Sequence, residues 1–198
     1  MNKRKSLDER RAEIVEAGLK VAMREGVEAV TVRRVAQEAG IPLGTVHYCF
    51  EDKDAMLRAM GRAIALRASE PVLAALQAGP DRMAVAEATV DALLIGLKRH
   101  QHMRLLTFEF AVSGARTPVL REVARAHLRQ SIAMTREYLQ RLAVVLRTTY
   151  RTEIDALARM TALSIDGIEL AWMVDQDDDK ARTGFADLTA TVFSLMEP

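Results

Sequence analysis

The apolar positions of the chain recur with a helical period almost from end to end. Ile14, Ala17, Gly18, Val21 and Ala22 make one stripe, and Met56, Leu57, Met60, Ile64 and Leu66 make another. This is the spacing of helices that each bury one face. Between the stripes, residues 31–53 (TVRRVAQEAGIPLGTVHYCFEDK) place Val35, Ala36, Ala39, Ile41, Val46 and Cys49 where two short crossed helices need inward side chains. Gly40 sits at the turn, where a left-handed backbone is costly for any residue with a Cβ. The small Ala36 lets the second helix pass close to the first.

Local signals set the boundaries. Ser6 and Glu9 have capping-box spacing, which predicts a first helix from Ser6 to near Gly26 that covers the back of the crossed pair. Thr31 is the natural N-cap of the second helix. The third, Leu43 to about Cys49, is too short to stand alone and needs Phe50 as an anchor in the core. Glu51 and Asp52 cap a fourth helix that begins at Lys53; Pro71 should kink or interrupt it, and Gly79-Pro80 ends the next segment. Further helices are predicted over 81–100, 102–113, from Thr117-Pro118 to about 147, 153–175 and 179–196. No strand-like alternation of useful length interrupts them. The expected fold class is all-α, with a three-helix helix-turn-helix head over 1–53 and a larger helical domain over 54–198.

Composition narrows the class. A hydrophobic content of 49% can bury a core, and ten glycines and five prolines leave most of the chain free to be helical. No apolar run reaches the roughly 18 residues of a membrane span. The basic N-terminus lacks an apolar core segment of a secretory signal, so no membrane association and a cytoplasmic location are expected. The single cysteine, Cys49, cannot form an internal disulfide.

Net charge is +1 overall, but residues 1–11 carry +3. That arm either lies along phosphates or is a solvated tail. Arg33 and Arg34 fall on the first turn of the second helix, the end where its dipole disfavours cations. They call for an anion such as phosphate, or else face water only.

Residues 31–53 resemble the DNA-binding signature of the TetR family of transcriptional regulators. The likeness rests on a threonine opening helix two, the Ala36-x-x-x-Gly40 turn, Gly44-Thr45, an aromatic-bearing third helix, Phe50 and Lys53. Leu105 to Phe110, Thr117-Pro118-Val119-Leu120 and Ile165-Asp166-Gly167 resemble the regulatory domains of the BetI-like branch. The resemblance implies that Thr31, Thr45, His47, Tyr48 and Lys53 contact phosphates and that Arg33, Leu43 and Gly44 stand where bases are read. It also implies a ligand-binding and dimerisation role for 54–198, and three partners: a double-stranded DNA operator, a second copy of the chain and a small-molecule effector. Physical chemistry agrees in part: Arg33 can pair bidentately with guanine, and Lys53 brings a cation to a helix start.

Two positions depart from the family pattern. Cys49 stands where an aromatic or histidine is common, either as a small packed hydrophobe or as an exposed redox-sensitive thiol. His47 replaces a more usual tyrosine and would hold phosphate more strongly when protonated.

In such regulators the last two helices pair across a two-fold axis. Here Leu157, Met160, Leu163, Ile165 and Ile168, with Phe185, Leu188, Val192, Phe193 and Leu195, provide the apolar surface for a four-helix contact, or an ordinary internal core. On the family's plan Met103, Leu106, Phe110, Met134, Tyr138 and Trp172 would line an effector cavity, with His100, His102, Thr107, Glu109 and Asp166 as polar anchors.

His100 and His102 lack the i, i+4 spacing of a helical metal site, and no cofactor is expected. An enzyme using Glu109 and the nearby histidines is the competing reading. Against it, the chain has no nucleophile elbow, phosphate loop or dinucleotide fingerprint. A helical interaction protein that has kept the head without DNA binding is a third reading.

Overall fold

The structure, a computed structural model, describes residues 5–67, 73–79 and 81–197. Its helices are α1 (Leu7–Glu25), α2 (Val32–Ala39), α3 (Leu43–Cys49), α4 (Lys53–Arg67), α5 (Arg82–Arg99), α6 (Gln101–Arg116), α7 (Pro118–Leu146), α8 (Ile154–Asp175) and α9 (Asp178–Ser194), with 3-10 turns at Val27–Ala29 and Ala75–Ala78. Among the described residues only an isolated antiparallel bridge, Tyr150 to Met196, has strand character. The all-α expectation is met, and the helix boundaries agree to within a few residues. Helix α6 runs longer than 102–113. The expected kink at Pro71 and the break at Pro80 lie outside the described residues.

The chain forms two compact units, residues 1–66 with 105–127 and residues 67–104 with 128–198. In the first, α1 packs on both α2 and α3. Ser6 and Glu9 close the reciprocal capping box that starts α1, which satisfies two of the free backbone donors there. The core of this head is Ile14, Leu19, Val21, Val30, Val35, Ala36, Val46 and Cys49, with Phe50 buried at the end of α3. Gly40 adopts φ 64 and ψ 34, the left-handed cap the turn needs.

In the second unit, α9 packs on α5 and α8. Val90, Leu93, Leu94 and Leu97 of α5 meet Trp172 of α8 and Ala181 and Phe185 of α9. A second cluster joins Leu139 to Leu157, Ala158 and Val192. The surplus apolar surface expected of the last two helices is therefore mostly absorbed internally. Leu157, Phe185 and Val192 are core residues, and Ile165, Ile168, Phe193 and Leu195 pack against core clusters. What stays exposed is a narrower stripe on α8: Met160, Leu163, Leu170 and Val174.

Candidate nucleic-acid interface

Helix α2 begins at Thr31, whose extended backbone (φ −117, ψ 154) lets its hydroxyl accept from Arg34 N–H at 3.1 Å. A hydroxyl that accepts one bond still has its own proton to donate. The first turn of α2 then separates two arginines that look equivalent in sequence. Arg33 is exposed, while Arg34 turns back to Glu25 at 2.7 Å and Glu38 at 3.2 Å. Arg24 reaches the same two carboxylates, at 2.7 and 2.8 Å. Hydrogen bonds from Arg34 and then Arg24 hold the Glu25 carboxyl down at about 2. The anion that Arg34 needs is thus supplied by the protein itself, which corrects the expectation of phosphate or water there.

Helix α3 keeps Val46 and Cys49 inward, and Phe50 N–H closes its end on the Val46 carbonyl at 2.8 Å. Cys49 is buried at 2% exposure, so the packed-hydrophobe reading holds rather than the exposed thiol. Leu43, Gly44, His47 and Tyr48 are exposed, Tyr48 at 79%, and Thr45 is half-buried. An added Cβ at Gly44 would meet nothing within 4 Å, so the backbone there lies open to a close approach. The Arg11 side chain supports α3 from below. Its Nε donates to the Cys49 carbonyl at 3.0 Å, and its guanidinium lies 6.0 Å from the Phe50 ring centroid.

Lys53 is the exposed first residue of α4, whose start is capped by Asp52 accepting from Ala55 N–H at 2.6 Å. Among the described residues neither Arg33 nor Lys53 has a carboxylate within ion-pair distance. Lys5 and Arg10 pair with Glu13, Arg11 is committed to α3, and Lys3 and Arg4 lie outside the described residues.

The sequence profile described as bacterial regulatory proteins, tetR family, matches residues 14–60, which span α1 to α4. Residues 14–60 are thus similar to the DNA-binding head of TetR-family regulators. A relative at 24% identity over 174 residues is the HTH-type nicotine-responsive transcriptional repressor HdnoR of Paenarthrobacter nicotinovorans, aligned over 87% of this chain and 88% of that protein. The multidrug binding protein EbrR, solved in complex with imidazole, superposes with a TM-score of 0.66 at 28% identity, covering 91% of this chain and 94% of EbrR. A TetR transcription regulator from Haloarcula marismortui ATCC 43049 shares the fold, with a TM-score of 0.72 at 17% identity over 96% of this chain and all of that one. The proteins it resembles are DNA-binding transcriptional regulators rather than enzymes, and the likeness to their head spans residues 14–60.

The residues put forward for an effector cavity divide between the units. Leu106 and Phe110 are buried and Thr107 half-buried in the first; Met103, Met134, Tyr138 and Trp172 lie in the second. Tyr138 shares a hydrogen bond with Thr89 at 2.5 Å, and the Trp172 indole N–H donates to Asp178 at 2.9 Å. Of the polar anchors, His100 and His102 are exposed. Glu109 is spent elsewhere, because its Oε2 accepts from the Val27 backbone N–H at 3.1 Å and so fixes the turn that leads into α2. Asp166 is half-buried, and burial raises its pKa against the opposing pull of Arg104.

Sequence reading missed Arg11, Glu25 and Glu38, which hold the head's shape, and Glu169, a carboxylate at 1% exposure on α8. For Arg11 a signal existed, since a helix beginning at Ser6 already encloses it. Among the described residues no group of three or more His, Cys, Asp or Glu is arranged to hold a metal ion, and no helix is long and apolar enough to cross a membrane.

Proposed function

We propose that this protein is a ligand-responsive transcriptional repressor of the cytoplasm, which grips an operator as a homodimer and leaves it when a small molecule binds. The observation that carries the reading is the combination on the head of exposed, uncommitted polar groups with a rigid support. Arg33, His47, Tyr48 and Lys53 face solvent, while Arg34 and Arg11 are consumed in holding α2 and α3. Arg33, Leu43 and Gly44 read base edges, and Thr31, Thr45, His47, Tyr48 and Lys53 fix the register on phosphates. The DNA-reading part extends to Lys53, and the remaining helices bind effector and pair subunits.

Dimerisation is supported by the stripe Met160, Leu163, Leu170 and Val174, at 39%, 43%, 47% and 82% exposure along one face of α8. Contiguous exposed apolar surface of this kind marks a protein contact. A dimer that reads successive major grooves holds its two third helices about 34 Å apart, one turn of DNA. HdnoR is a nicotine-responsive repressor and EbrR a multidrug binding protein, which supports a small organic effector here. The effector acts by favouring the dimer state with lower DNA affinity.

Two variants test the head. Lys53→Ala should weaken binding to every DNA sequence and reduce the slope of log K against log salt by about 1, whereas Arg33→Ala should relax preference at one base pair, by about 1–3 kcal/mol. An unchanged salt slope in the first removes Lys53 from the phosphate set, and unchanged selectivity in the second removes Arg33 from base reading.

A further inference from the structure

Among the described residues Glu169 is the most deeply buried carboxylate of the second unit, and no protein group donates a hydrogen bond to it. It is 1% exposed, and neither Oε1 nor Oε2 accepts a hydrogen bond. Arg104 Nη2 stands 3.2 Å from Oε1, near enough to pair by charge without a hydrogen bond directed at it. Asp166, one turn earlier on α8, is half-buried and feels the same guanidinium. Two carboxylates thus share one cation.

A purely structural buried ion pair holds together by filling its lone pairs with donors, because desolvation otherwise outweighs the attraction. Here no protein group donates to them. The deficit has a specific chemistry: it calls for N–H donors and for one positive charge. An anion would meet two carboxylates, and a metal ion lacks the ligand set. The same stretch of α8 packs Ile165, Ile168 and Trp172 into the apolar cluster with Leu93, Leu94 and Leu97, which suits a ligand with an apolar body.

We infer that Glu169 and Asp166, set against Arg104, form a recognition site for a small protonated amine on an apolar body, whose ammonium donates to the Glu169 carboxylate. The inference rests on the reading of the chain as a ligand-responsive regulator and names the chemical class of its effector. Burial, opposed by Arg104, pushes the Glu169 carboxyl up to about 7, and an ammonium donating to it favours the ionised form.

Trp172 is the chain's single tryptophan and lies one turn beyond Glu169, so its emission is a built-in reporter. The test titrates the full-length protein with benzylamine, with benzyl alcohol as the neutral counterpart and benzyltrimethylammonium as a cation without N–H donors. Benzylamine should give a saturable emission change and bind about tenfold or more tightly than either control. Glu169→Gln should cost it about tenfold or more in affinity, and Asp166→Asn should weaken it to a lesser degree.

Equal affinity for the three compounds, no saturable response to benzylamine, or undiminished benzylamine binding by Glu169→Gln would each overturn the site. Far-ultraviolet circular dichroism checks that both variants are folded, and DNA binding is measured on the same preparations. Specific DNA binding without an amine response overturns this inference alone, whereas loss of DNA binding by the unmodified protein strikes the regulator reading.

Discussion

Glu169→Gln should remove a pH-dependent weakness from the fold. Burial, partly opposed by Arg104, raises this carboxyl from its ordinary 4.5 to about 7. In the unfolded chain the group loses its proton above about pH 4.5; in the folded protein it keeps it to about pH 7. The folded state therefore binds more protons across that window, and stability falls as pH rises through it. At about 1.4 kcal/mol per pH unit, the penalty is absent below about pH 4.5 and approaches about 3 kcal/mol above pH 7. Glutamine keeps the shape and carries no such titration.

Urea unfolding of both proteins at fixed protein concentration, followed by circular dichroism from about pH 4.5 to about pH 8, reads the difference directly. Titrating groups remote from Glu169 are common to both chains and cancel in the comparison, while the coupled Asp166 contributes to the difference read. The stability of the unmodified protein should fall relative to the variant by up to about 3 kcal/mol across the range. Parallel profiles would refute the argument, since they would mean that Glu169 titrates alike in the folded and unfolded chain.

Three other perturbations have definite outcomes. Gly114→Ala puts a Cβ 2.9 Å from the Leu120 carbonyl oxygen and 3.1 Å from Ala124 Cβ, so thermal unfolding should show a loss of about 1–3 kcal/mol. Glu109→Ala leaves the Val27 N–H without its acceptor; stability should drop by about 1–2 kcal/mol, and amide exchange at Val27 should quicken. Leu170→Glu places a charge in the exposed apolar stripe of α8 and should shift sedimentation towards the monomer at micromolar concentration while circular dichroism stays helical.

Much of the head was legible because its signals are local. The Ser6 and Glu9 capping box, the Thr31 cap and the left-handed Gly40 each depend on residues within a turn of one another. Inward Val35, Ala36, Val46 and Cys49 follow from helical period alone. The contacts that distinguish Arg33 from Arg34 are not local: Glu25 lies nine residues before Arg34, on another helix. Glu109 meets Val27 across 82 positions, so its role as a backbone cap was hidden and it read as an anchor for ligand.

Helix α8 was only partly legible, for a different reason. It is apolar on most sides, so period cannot say which residues face the core. Ile165 and Ile168 went in, while Leu163 and Leu170 stayed out. Glu169 was invisible for the same reason, because it is one of four acids on the helix and an acid reads as surface until its neighbours are placed.

The most direct test of the proposed function is binding of the purified protein, over a salt titration, to the DNA upstream of its own gene and to random duplex pools taken through selection. The account predicts an enriched site bound in preference to a scrambled duplex, with affinity falling steeply as salt rises and two subunits, or a multiple of two, at each site. No binding at low salt to any selected duplex would contradict it.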